Sequence, residues 1–111
     1  MRVKISALGT YVPPRLLTNA DLEKMVETSN DWIMERVGIR ERQIVDKGVA
    51  TSDLGVEPAG KALAERGLEP KDIDAIVVGT VTPDIIFPST ACLVQHKLGA
   101  KGIWGFDLSG A

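Results

Sequence analysis

An α/β fold whose later part is mostly parallel is predicted by three stretches of this sequence. Ala75-Ile76-Val77-Val78-Gly79 is an apolar run without alternation, as in a strand covered on both faces. Pro88 and Ser89 open a helix that carries Ala91, Val94 and Leu98 on one face and stops at Gly99. Ile103 to Leu108 reads as a further strand, buried and central, that passes into the small residues Ser109, Gly110 and Ala111. Strand, helix, strand in that order builds a parallel layer. In such layers ligands and chemistry sit beyond the carboxyl ends of strands, and small residues there let a backbone turn sharply.

The earlier elements follow in order. Val3 to Leu8 alternates around small residues and reads as a first strand ending at Gly9. Tyr11-Val12-Pro13-Pro14 is a surface loop, since two prolines remove ladder donors. Thr18 or Asn19 caps a helix with Asp21 and Glu23 near its start, running to about Val26. Ser29 caps a second short helix, Asn30 to Arg36, stopped by Gly38. Ile39 to Val45 alternates apolar and charged residues, which suits an exposed ribbon, and Asp46-Lys47-Gly48 turns it. A third helix, capped by Thr51 or Ser52, ends near Gly67 with Leu54, Ala62 and Leu63 inward. Pro58 inside it means either a kink or a regular part that starts there; a start at Ser52 with a kink is favoured. Glu69 to Asp74 is a turn, and Thr80 to Phe87 is a loop after the Ala75–Gly79 strand.

Composition narrows the function classes. A chain of 111 residues suffices for one small domain. The net charge of -2 leaves no basic excess for phosphates, which argues against a nucleic-acid binder. No apolar run approaches a membrane span, and the start is too weakly apolar for a signal peptide. A single cysteine, Cys92, precludes an internal disulfide and suits a reducing, cytoplasmic compartment. One histidine, His96, and no Cys/His cluster give no metal-ligand spacing. No G-x-G-x-x-G follows the first strand-like run, so a Gly-rich phosphate loop is not in view.

Few residues point to chemistry on their own. Trp32 and Arg36 are four apart and share one helix face. A planar ring beside a guanidinium can hold a purine and an anionic group. It is equally the pattern of a packed tryptophan under an arginine stem, and spacing alone favours that second reading. Cys92 sits mid-helix beside Ala91 and Leu93, with His96 a turn later on a polar register, and reads as a small buried hydrophobe rather than a nucleophile. Phe87 is either a core anchor of its loop or a pocket wall.

The run Thr28-Ser29-Asn30-Asp31-Trp32-Ile33-Met34-Glu35-Arg36-Val37-Gly38-Ile39-Arg40-Glu41-Arg42 resembles the early segment of β-ketoacyl-acyl-carrier-protein synthase III. Gly9 to Pro13, Thr18 to Glu23 and Phe87 to Cys92 support the likeness. Phe106 to Ala111 is similar to the approach to that family's active-site cysteine. The resemblance covers the whole chain.

It implies a thiolase-like fold of two similar α/β halves in α-β-α-β-α layers, residues 1–111 being the N-terminal part of the first half. It implies a homodimeric acyltransferase that condenses an acyl-CoA primer with malonyl-acyl-carrier-protein, starting fatty-acid synthesis. No cofactor is implied, the coenzyme A thioester being substrate. Trp32 matches the tryptophan that stacks on the coenzyme A adenine, Thr28 a residue that contacts it, and Arg36 the arginine near its phosphates. Phe87 matches a dimer-contact residue that closes the partner's acyl pocket. Cys92 matches a non-catalytic helix position.

The nucleophile would follow Ala111, and its histidine and asparagine partners would come later, so residues 1–111 alone are expected to be inactive. The expectation is a polypeptide continuing through a chemically modified cysteine, with truncation second. A self-sufficient chain of this length is least expected, because Ile103 to Leu108 and two helix faces would lack cover. Two other readings stay open: a related condensing enzyme or acyltransferase of secondary metabolism, and a coenzyme A-binding relative without condensation chemistry. A cysteine after Ala111 favours the synthase; another residue there favours a relative.

Overall fold

The structure, a computed structural model, describes residues 2–110. The expectation that Ala111 is a buried, ordered link to a following helix lies outside the described residues. Two compact units divide the chain, residues 12–48 and residues 1–11 with 49–111.

In the 12–48 unit, β1 (Arg15–Thr18) pairs antiparallel with β2 (Glu41–Ile44), Arg15 opposite Ile44 and Thr18 opposite Glu41. Between them lie α1 (Asn19–Leu22) and α2 (Asn30–Val37). Thr18 is the cap: its side chain accepts from the Asp21 N–H, and the Asp21 carboxylate accepts from the Thr18 N–H in return. The Thr18 hydroxyl, then its N–H, then Lys24 hold the Asp21 carboxyl below the usual carboxylate value. The regular helix is shorter than expected, but helical backbone bonds continue as turns to the Val26 N–H. β2 alternates exposed and half-buried residues, as the ribbon reading required. β1 was not foreseen. Its signal is hidden behind Pro13 and Pro14, and it exists because Glu41–Ile44 supplies a ladder.

The other unit holds α3 (Thr51–Arg66), a 3₁₀ turn at Pro70–Asp72, β3 (Ala75–Gly79), α4 (Thr90–Leu98) and β4 (Trp104–Leu108). β3 and β4 run parallel, Ala75 beside Trp104 and Val77 beside Phe106. α4 packs on both strands. Gly105 makes that close: a Cβ there would stand 3.2 Å from the Ala91 Cβ and 3.0 Å from the Ile76 carbonyl oxygen. Ala91, Val94 and Ala100 form the buried core of this unit. α3 lies against α4, with Ala62 and Leu63 lining an apolar concavity beside Val94 and Leu98.

Three expectations need correction here. Val3 to Leu8 is not a strand; Val3, Ile5 and Leu8 are largely exposed, and no described segment pairs with them. A strand-like sequence becomes a strand only where its N–H and C=O groups find a ladder. Neither β3 nor β4 is covered on both faces: α4 packs on one, while Val77 in β3 and Trp104, Phe106 and Leu108 in β4 stay exposed on the other. α3 begins at Thr51, and neither Thr51 nor Ser52 caps it. Ala50 is the cap residue and the Asp53 carboxylate accepts its N–H at 2.9 Å. α3 runs unbroken through Pro58, which bears out a start near Ser52 over one at Pro58.

Polar side chains tie the elements of this unit. Ser52 is fully buried; its N–H and hydroxyl both donate to the Asp84 carboxylate in the loop after β3. Lys97, late in α4, donates to the Ser52 hydroxyl at 2.6 Å and pairs with Asp53. That pairing, with the Ala50 N–H, holds the Asp53 carboxyl below its usual value. Asp107 in β4 accepts the Thr90 and Ala91 N–H groups at 2.6 and 2.7 Å, satisfying two orphan donors at the start of α4. Burial pushes the Asp107 carboxyl up, but the Ala91 and Thr90 N–H groups, with the Thr90 side chain, together outweigh it and leave it below the usual range.

Candidate functional site

α2 is short, and its ends are made by side chains. Ser29 caps it by accepting the Trp32 N–H at 3.1 Å. The Glu23 carboxylate accepts the Asn30 N–H at 2.6 Å, a second orphan donor satisfied. Gly38 closes the helix at φ 68, a left-handed conformation that glycine adopts without a Cβ penalty, and its N–H reaches the Ile33 and Met34 carbonyls. Ile33 is the helix's buried anchor, 5% exposed. One residue before it, Trp32 is 56% exposed. The packed-tryptophan reading therefore fails: the ring is on the open side of α2.

The Arg36 guanidinium sits over that ring, 5.9 Å from its centroid. This is a cation–π arrangement within an i, i+4 pair. A concavity of about 240 Å³ lies at the amino end of α2, lined by Glu27, Thr28, Ser29 and Trp32. So Thr28 and Trp32 line one concavity, and Arg36 lies over the Trp32 ring. Inserting a planar ring between indole and guanidinium needs roughly 7 Å, two van der Waals separations. A ligand ring would take the other indole face unless Arg36 moved aside. Glu27 and Ser29 are the lining residues that sequence reasoning missed as such, Ser29 being read only as a helix cap. The Glu27 carboxylate disfavours an anion in the concavity, while Arg36, over the indole, offers a cation beside the ring.

Phe87 belongs to the other unit. It is 87% exposed, at the end of the loop that also exposes Ile85 and Ile86, so the core-anchor reading of Phe87 does not hold. Cys92 is half-buried on α4, its thiol 3.2 Å from the Ser89 hydroxyl, and His96 is exposed. No described helix is long and apolar enough to cross a membrane.

No protein-family model matches the chain. It is 69% identical over 108 residues to the β-ketoacyl-acyl-carrier-protein synthase III of Koribacter versatilis (strain Ellin345), covering 97% of this chain and 32% of that protein. Among solved structures, 3-oxoacyl-(acyl-carrier-protein) synthase III from Aquifex aeolicus VF5 superposes with a TM-score of 0.88 at 47% identity, over 95% of this chain and 34% of that one. The priming β-ketosynthase from the R1128 polyketide biosynthetic pathway gives 0.87 at 34% identity, over 94% of this chain and 31% of that one. The fold is thus that of the thiolase-like condensing enzymes. Within that class the chain belongs to the β-ketoacyl-acyl-carrier-protein synthase III family, and it spans about a third of the length of the curated relatives it matches.

Proposed function

We propose that the complete polypeptide to which these residues belong is a condensing enzyme that joins an acyl-CoA primer to malonyl-acyl-carrier-protein and so initiates fatty-acid synthesis. These residues would be the early part of its first α/β half. The observation that carries the reading is the outward face of α2. An open indole, a hydroxyl residue and a guanidinium offer an adenine a stacking surface and its phosphates a cation. Identity of 69% to a synthase III against 34% to the polyketide priming enzyme favours this over secondary metabolism.

In this reading Thr28, Trp32 and Arg36 bind coenzyme A, and no further cofactor takes part. A cysteine following Ser109-Gly110-Ala111 would attack the acyl-CoA carbonyl, form a thioester and release coenzyme A. Malonyl-carrier would then lose carbon dioxide, and the resulting carbanion would attack that thioester. Histidine and asparagine from the rest of the protein would stabilise the oxyanion, and the cysteine thiolate would leave. Phe87, with Ile85 and Ile86, would meet a second copy of the chain in a cytoplasmic homodimer, covering apolar side chains that are now open.

The test is the complete protein with malonyl-carrier and a set of acyl-CoA primers, acetyl, branched and longer. Carbon dioxide release that depends on both substrates, with a β-ketoacyl-carrier product, is expected. Coenzyme A binding without condensation would overturn the reading in favour of a non-condensing relative.

A further inference from the structure

The geometry points to Asn19 as the positioning residue for the ligand-facing side of α2. Asn19 is 3% exposed, and both of its side-chain donor hydrogens are used. Nδ2 donates to the Asn30 Oδ1 and to the Ile39 carbonyl, each at 3.0 Å. Oδ1 accepts from the Arg42 guanidinium in β2, and the Asn19 N–H donates to the Arg40 carbonyl at 3.2 Å. Asn30 is the first residue of α2, and Ile39 directly follows the Gly38 that ends it. One buried amide therefore holds both ends of the helix.

The chemistry specifies this side chain. Turned over, the amide would set Oδ1 against the Ile39 carbonyl and Nδ2 against the Arg42 guanidinium, two like-against-like contacts, so the network fixes one orientation. Aspartate would keep the Arg42 contact but place a carboxylate oxygen against the Ile39 carbonyl. The helix needs such a hold because Ile33 is its one buried residue, too little packing to fix its rotation about its own axis. Rotation decides where the Trp32 indole and the Arg36 guanidinium point. Glu23, four residues after Asn19, adds a second hold by accepting the Asn30 N–H. Asn19 touches no ligand; it acts through α2, and the inference rests on the coenzyme A reading of that helix.

The experiment measures coenzyme A affinity by calorimetry, and KM and kcat for acyl-CoA and for malonyl-carrier, on the complete protein. Asn19→Ala and Asn30→Ala are expected to weaken coenzyme A binding about five- to tenfold, the scale of one buried hydrogen bond. KM for acyl-CoA rises with it, while kcat and KM for malonyl-carrier stay put. Asn30→Asp, which keeps the acceptor for Asn19, restores most of the affinity. Asn30→Ala carries the test if Asn19→Ala does not fold, since it removes only one of Asn19's bonds. A lowered melting temperature with wild-type coenzyme A affinity in these variants overturns the inference and makes Asn19 merely structural. Trp32→Ala, run in parallel, separates the two ideas. Weakened binding there with no effect at Asn19 or Asn30 sinks this inference alone. Unchanged binding there sinks the coenzyme A reading and this inference with it.

Discussion

The Arg36 guanidinium lies 5.9 Å from the centroid of the Trp32 ring, over an indole that is 56% exposed. The pair is a surface feature held at one helix face, not a plug in the core. Its consequences for binding can be measured separately from folding.

Trp32→Ala in the complete protein should raise KM for acyl-CoA about tenfold or more, the scale of one lost base–aromatic stack. Turnover should change little, because stacking remote from the reacting carbonyl is equal in ground and transition states. Steady-state kinetics at varied acyl-CoA checks this, and an unchanged KM would remove Trp32 from the site.

Asp107 should give the fold an acid-sensitive contribution. Its carboxyl is held below the usual range in the folded state, so its stabilisation is complete above the unfolded value of about 4. It is lost as pH falls through the folded value. Asp107→Asn keeps one acceptor but sets an amide NH2 against the second N–H, so it should lower stability near neutral pH by about 1–3 kcal/mol, the cost of one unsatisfied buried donor, and flatten the acid limb. Urea midpoints between pH 3 and 7 read both effects. Acid limbs that stay parallel in the two proteins would show that Asp107 is not the group responsible.

Cys92→Ala should retain most activity and cost about 1 kcal/mol of stability, as a small side chain leaves a half-packed position. Intact-protein mass after incubation with acyl-CoA should show the acyl group retained in this variant. Its disappearance would make Cys92 the nucleophile.

Phe87→Asp should weaken self-association. Ile86 and Phe87 are 99% and 87% exposed, an apolar tip that a free surface rarely carries. Sedimentation at micromolar protein is expected to show a dimer for the parent and a shift toward monomer for the variant. A monomeric parent would remove the homodimer from the proposal.

Gly9→Ala should destabilise by about 2–3 kcal/mol, the scale of overpacking a close contact. A Cβ at Gly9 would overlap the Pro58 carbonyl, and backbone on both sides cannot step back as a flexible side chain would. Thermal melting reads the effect. A variant as stable as the parent would mean that residue 9 does not approach α3 this closely.

Much of the chain was legible because its signals are local. Ser29 with Gly38 and Ser89 with Gly99 bound two helices within ten residues each, and both are observed. The Thr18–Asp21 capping pair spans three residues and is read the same way. The unbroken apolar run Ala75–Gly79 is a strand, and the segment around Trp32 placed the chain in its family.

The sequence by itself thus determined the three helices that end at Gly38, Gly67 and Gly99, the later parallel strand pair and the family. Tertiary structure alone decided the rest. It decided that Val3–Leu8 forms no strand while Arg15–Thr18 does, since a strand is defined by a partner and not by its own pattern. It decided that Trp32 is open rather than packed, because which side of a short helix meets a core depends on what lies beside it. It placed Asn19 against Ile39 and Arg42, 20 and 23 residues away, and Lys97 against Ser52 at a separation of 45. No local signal encodes such pairings. They exist because a buried polar group must find its partner wherever the fold brings one within 3 Å or so.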